Sequence, residues 1–209
     1  MKRIIASLAV CMALCAAAAA KDYNPTPSPD GSMLAFTRDH DLWVRRVADS
    51  VETRLTFDGS PLILNGYASW VYYEEILGRA SNYRAFWWSP DSRKIGFYRF
   101  DNSQVPMFPI FSPFGQNGSL SQTRYPKAGQ TNPQVRIGIV NLQDGKTVWA
   151  DFDVDEDQYF GTPFWGADSR EIYISREPRR QNVLDLYAVS VADGSRREVY
   201  HEEYPGLNG

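Results

Sequence analysis

Two glutamates stand side by side among aromatic residues in "SWVYYEEILGR", residues 69–79. Neighbouring carboxylates repel, and apolar surroundings raise the cost of ionising either one. A pair kept in such company needs open water or a cation that completes it. On a β-strand Glu74 and Glu75 point to opposite faces and cannot share a ligand. In a helical turn they diverge by about 100° and can converge on one group. Ser69 is placed to cap such a turn and Gly78 to end it, so the pattern predicts a short helical segment carrying both carboxylates. A cationic amine is the ligand that would offset their repulsion. The competing reading is an ordinary solvated pair at a helix edge.

Little else in the chain has the chemistry of a hydrolase. No Gly-x-Ser-x-Gly pentapeptide occurs, so there is no nucleophile elbow. Ser89 precedes a proline in "WWSPDS" and reads as a turn residue. The histidines are His40, in the hairpin-like "RDHDLW", and His201, in "YHEEYPG" near the chain end. Both read as structural. The acidic run "DFDVDEDQ", residues 151–158, lacks the glycine and spacing of an EF-hand and reads as a solvated loop. Basic residues in "SREPRRQN" read as a surface hairpin. No cofactor or metal set emerges.

These residues have to be positioned by an exported β protein. Residues 1–20, "MKRIIASLAVCMALCAAAAA", have a basic start, an apolar middle and small residues at the end. They are predicted to be a signal peptide cleaved before Lys21, which places the mature chain in the periplasm or outside the cell. An uncleaved membrane anchor is the alternative. Cys11 and Cys15 both lie in that leader, so the mature chain has no thiol and no disulfide. Loss of Lys2 and Arg3 takes the net charge from −3 to −5. An acidic chain without a basic stripe is a poor candidate for nucleic-acid binding.

The body of the chain is 14% aromatic, punctuated by Gly and Pro, and free of helical periodicity, which favours β structure. One pattern recurs three times: "PSPDGSMLAFTRD", "WSPDSRKIGFYRF" and "WGADSREIYISRE". Each places a short Asp-Gly or Asp-Ser turn before a strand-like run, and further strands follow each copy. "QDG" (143–145) and "ADG" (192–194) supply hairpin turns that need a positive φ. Such four-stranded antiparallel units bury both faces only by stacking on each other, as blades of a β-propeller do. Three units are too few to close a ring, so the expected fold is all-β, a partial propeller. An insertion at 101–132 interrupts the second unit. Its Asn117-Gly118 pair predicts a two-residue hairpin turn.

Three stretches in combination, "LNGYASWVYYEEILGRASNYRAFWWSPDS", "FYRFDNSQVPMFPI" and "TRYPKAGQTNPQVRIGIVNL", resemble the N-terminal domain of dipeptidyl peptidase IV, among the prolyl oligopeptidase-like serine peptidases. The resemblance covers essentially all of residues 21–209 and makes them an incomplete N-terminal propeller. It implies that Glu74 and Glu75 bind the free N-terminal ammonium of a peptide, so that dipeptides with Pro or Ala second are released. The Ser-Asp-His triad belongs to a C-terminal α/β-hydrolase domain not present here, so the chain is expected to be inactive alone. The family's carbonyl-binding arginine has no counterpart that can be assigned to Arg38, Arg79 or Arg84. A homodimer, with the 101–132 insertion contributing, is a further implication. A non-catalytic envelope propeller is the rival from another class.

Overall fold

The computed structural model describes residues 20–204 and 206. The predicted leader therefore lies, apart from Ala20, outside the described residues. Among the described residues no helix is long and apolar enough to cross a membrane.

Three antiparallel sheets stack face to face. The first is a meander of β1 (Tyr23–Pro27), β2 (Met33–Arg38), β3 (Asp41–Arg46) and β4 (Glu52–Arg54). In the second, β5 (Ile63–Asn65) and β6 (Phe86–Trp88) lie end to end along β7 (Lys94–Asp101). The chain then leaves to form a separate hairpin, β8 (Met107–Ser112) with β9 (Ser119–Arg124). It returns as β10 (Gln134–Asn141) beside β7 and finishes the sheet with β11 (Thr147–Trp149). The third sheet repeats the split edge. Here β12 (Gln158–Phe160) and β13 (Phe164–Trp165) share β14 (Glu171–Pro178), followed by β15 (Val183–Ser190) and β16 (Arg196–Glu203).

Alternation along β7 explains why the sheets stack. Ile95 and Phe97 join Ala35, Leu42, Val44 and Leu55 in a core shared with the first sheet. Tyr98 and Phe100 point the other way, into a core with Phe160, Ile172, Ile174 and Val189 of the third. A strand buried on both sides must be apolar at consecutive positions, as Ile95, Gly96, Phe97 and Tyr98 are, all four buried. Gly96 is the gap that lets the third sheet close in, since a Cβ there would sit 2.6 Å from Ile172 Cδ1.

The recurring turns make equivalent bonds. In the first two, Ser28 and Ser89 hydroxyls donate to Asp30 and Asp91 at 2.6 and 2.5 Å. Each turn also reaches its neighbour: the Asp30 N–H donates to Ser92 Oγ at 3.1 Å, and the Asp91 N–H to Ser169 Oγ at 3.0 Å. Ser92 and Ser169 hold φ of 59° and 58° at the place where the first copy has Gly31. The tryptophan before each of the later turns does the same, Trp88 donating to Thr26 O at 3.1 Å and Trp165 to Trp87 O at 3.2 Å. The result is three four-stranded blades of an open propeller. Phe164 and Tyr200 lie exposed on the outer face of the third sheet.

Two local expectations are corrected. Asn117-Gly118 does not form a two-residue turn, because the last β8–β9 pair is Ser112 with Ser119 and the loop runs over 113–118. Pro113 and the positive φ of Gly115 and Gly118 favour this longer connection. The acidic stretch at 151–158 is a pairing loop, not a merely solvated one: Arg176 bonds Glu156, and Arg179 and Asn132 bond Asp157.

Candidate functional site

The glutamates are carried by an excursion that fills the break between β5 and β6. Its two ends are clamped to one residue of β7: the Gly66 N–H donates to Tyr98 O, and the Tyr98 N–H to Ala85 O, both at 2.9 Å. A bridge between Tyr67 and Arg84, with the Ala68 N–H donating to Tyr83 O at 2.8 Å, closes the neck. Residues 69–82 therefore project as a closed loop from a fixed base.

Inside it, Tyr72–Ile76 form a π-helical turn, closed by the Leu77 N–H donating to Tyr72 O at 2.7 Å. This wider turn splays adjacent side chains less than an α-helix does, so Glu74 and Glu75 lean toward one side. Such π-turns are frequent at functional sites. Gly78, with φ 77° and ψ 151°, ends it as expected, in a conformation that is all but restricted to glycine. Ser69 does not cap it. No side chain caps this turn; the Ser69 carbonyl accepts from the Tyr73 N–H, while the Ser69 hydroxyl is buried without a protein partner. What anchors the turn is Tyr72. It is fully buried against Phe100 and Tyr98, and its Oη accepts from the Phe160 N–H of the third sheet at 3.1 Å.

Glu74 is held from two sides. The Trp70 indole N–H donates to Oε2 at 2.5 Å, and the Arg79 guanidinium pairs with Oε1. The indole first, then the guanidinium, lowers the Glu74 pKa below the usual carboxylate range. That stabilisation is present above the ordinary carboxylate pKa and is lost as pH falls through the lowered one. Arg79 is 71% exposed, so solvent screens this pair and a competing cation can displace it. Glu75 is exposed and, among the described residues, in no ion pair. Tyr125 lies beside both glutamates, its pKa raised by burial and then by the charges of Glu75 and Glu74. Tyr125 also packs edge-on against Trp70, ring centres 6.3 Å apart, and so links the insertion's return to the residue that orients Glu74.

A ladder of tyrosines supports the projecting turn. Tyr73 stacks on Tyr83 at 3.8 Å, Tyr83 on Tyr67 at 4.9 Å, and Tyr67 meets Tyr23 of β1 edge-on at 5.6 Å. Sequence reasoning did not find this ladder, nor the roles of Trp70 and Arg79. Trp70 precedes Glu74 by four residues, a spacing that brings side chains together on a helix, and that was the available signal. A cleft of about 510 Å³ opens beside Trp70, lined also by Leu62, Tyr67, Tyr83, Met107 and Arg124. Neither glutamate lies in its wall.

The remaining candidates fall elsewhere. Arg38 is tied into a network with Asp22, Arg45 and Glu52 on the first sheet. The Arg84 guanidinium donates to Thr26 Oγ1 at 3.5 Å. His40 and Asp39 occupy the β2–β3 turn with φ of 68° and 50°. Ser89 is buried in its turn, and His201 lies on β16 bonded to Asp185 at 2.7 Å.

Comparison with known proteins adds three findings. The family described as the dipeptidyl peptidase IV N-terminal region matches residues 10–206. A "Probable dipeptidyl-aminopeptidase B" of Grosmannia clavigera is 33% identical over 87% of the chain, and a "Probable dipeptidyl peptidase 4" of Emericella nidulans 32% identical over 84%. The chain spans 21% and 23% of those proteins, respectively. The crystal structure of Porphyromonas gingivalis dipeptidyl peptidase 4 superposes with a TM-score of 0.78 at 27% identity, covering 88% of this chain and 26% of the other.

Proposed function

We propose, for a chain that belongs to the dipeptidyl peptidase IV N-terminal region family, that Glu74 and Glu75 receive the N-terminal ammonium of a peptide. The observation that carries this reading is their unequal occupancy on one projecting turn. Among the described residues Glu75 is in no ion pair, and Glu74 has a partner that is exposed and replaceable. An α-amino group, with a pKa of about 8, is mostly cationic at neutral pH and enters between them. It displaces Arg79 from Glu74 while the Trp70 indole keeps that carboxylate aimed. Fixing the amine fixes the register of the chain behind it, so a nucleophile at a set distance cuts after the second residue.

The hydrolytic Ser-Asp-His set belongs, on this reading, to an α/β-hydrolase domain of the same polypeptide. The whole protein is then a serine-type dipeptidyl peptidase of the periplasm or cell exterior, acting on peptides with Pro or Ala second. It works without a cofactor. The β8–β9 hairpin exposes Phe111, Phe114 and Leu120 and contributes to a homodimer. The test is kcat/KM on a Gly-Pro chromogenic substrate for Glu75→Gln in the longest natural polypeptide. A lost charge-assisted hydrogen bond of about 1.5–3 kcal/mol predicts a fall of roughly 10- to 150-fold. Near-normal turnover would refute the assignment.

A second reading draws on the Arg79 pairing and on the absence of either glutamate from the adjacent cleft wall. It makes the chain a non-catalytic propeller that binds envelope partners. That protein would hydrolyse no Gly-Pro or Ala-Pro substrate in any natural form.

A further inference from the structure

On the outermost strands of the third sheet, the geometry points to a binding site for a zinc-type divalent transition metal, formed by Asp185, Glu198 and His201. One ligand atom from each lies within 4.8 Å of the others. Strand register creates this cluster. Asp185 faces His201 across β15 and β16, and Leu186 faces Tyr200, but Tyr187 faces Glu198 because Val199 is an extra residue in β16. Residues three apart in a regular strand point to opposite faces. The bulge reverses the alternation once and brings Glu198 onto the face of Asp185 and His201.

The depth of the three groups suits a metal entering from solvent. Asp185 is 4% exposed, a fixed anchor, whereas Glu198 is open to solvent and can swing inward. Asp185 Oδ1 lies 2.7 Å from His201 Nδ1. Its Oδ2 is steadied by Arg176 Nη1 and the Tyr187 hydroxyl, each at 3.4 Å. Arg176 is itself held by Gln158 and Glu156, so the guanidinium is a fixed neighbour and not a competitor free to move in. On the far side of the imidazole, Nε2 faces Glu203 Oε1 at 3.4 Å. A carboxylate on the second ring nitrogen is what orients a metal-bound histidine and raises its basicity. Nδ1 is thus the ligating nitrogen and Nε2–H the donor to Glu203.

One imidazole and two carboxylates form a borderline donor set. It suits Zn²⁺ and its neighbours better than Ca²⁺ or Mg²⁺, which prefer all-oxygen cages. Zinc bonds to nitrogen and oxygen are about 2.0–2.2 Å long, which sets ligand atoms roughly 3.3 Å apart in a tetrahedron. Inward rotation of Glu198, with His201 opening slightly away from Asp185, brings the three ligand atoms to that spacing and leaves a fourth position open to water or a partner's side chain. The site lies on β15 and β16, at the opposite edge of its sheet from β12, where Tyr72 docks.

The test is calorimetric titration of Zn²⁺ into the chelator-stripped full chain, beside His201→Ala, Glu198→Gln, Glu203→Gln and His40→Ala. One zinc per chain is expected. His201→Ala and Glu198→Gln should each weaken binding by at least about tenfold, Glu203→Gln by about tenfold, and His40→Ala not at all. Glu198 is exposed, so its substitution leaves the fold intact and isolates the metal effect. Absence of zinc binding, or equal affinity in the wild type and the Glu198 and His201 variants, would overturn the proposal.

Discussion

The second and third sheets break their edge strands at corresponding places and fill the breaks very differently. Between β12 and β13 the third sheet needs only 161–163, and Gly161 lies so close to the ladder that a Cβ there would clash with Ser175 Oγ. Between β5 and β6 the second sheet sends out 66–85, with the paired glutamates at its tip. Tyr98 joins the two breaks. Its backbone clamps both ends of the long excursion, and its hydroxyl donates to Gly161 O across the short gap at 2.5 Å. A split edge strand can thus absorb a large excursion without disturbing β7, β10 or β11. The regular blades supply the base, and the proposed amine site sits where regularity stops.

Tyr98→Ala should break this comparison most severely. It removes a fully buried ring that packs between both gaps, and a loss of about 3–5 kcal/mol is expected, read as a large drop in the denaturant midpoint. An unchanged midpoint would mean that the two breaks are independent.

Tyr72→Phe is a finer probe. It keeps the buried ring but strands the Phe160 N–H without its acceptor, which costs about 1–3 kcal/mol. Because Tyr72 seats the turn that bears Glu74 and Glu75, dipeptide release by the longest natural polypeptide should fall as well. Lost stability with intact turnover would separate the turn from the third sheet.

Trp70→Phe should keep an aromatic ring against Tyr125 and remove the indole N–H that bonds Glu74. The indole is the leading reason that the Glu74 pKa is lowered. Amine binding requires the ionised carboxylate, so losing the indole moves the acid limb of binding to higher pH. An acid limb that stays in place would remove Glu74 from the ammonium site.

The repeated turns were legible because Ser, Asp and Gly act through local bonds, and those bonds form as their spacing predicts at Ser28 and Ser89. The helical segment was legible too, since Gly78 adopts a φ and ψ that other residues resist. Its internal support was not. The Tyr23–Tyr67–Tyr83–Tyr73 ladder joins residues far apart in sequence, and Arg79 meets Glu74 from the turn that follows Gly78, beyond the π-helical segment. Asn117-Gly118 misled because a dipeptide preference yielded to a longer loop with its own proline and glycines. Glu198 and His201 were invisible as a pair, since period-two alternation separates them and only the Val199 bulge reunites them.

The most direct measurement is the ratio of kcat/KM for Ala-Pro p-nitroanilide to that for its N-acetylated form, in the longest natural polypeptide and in Glu74→Gln/Glu75→Gln. If the two carboxylates read the ammonium, the wild type strongly favours the free amine and the double variant loses at least about tenfold of that preference. An undiminished preference in the double variant would contradict the account.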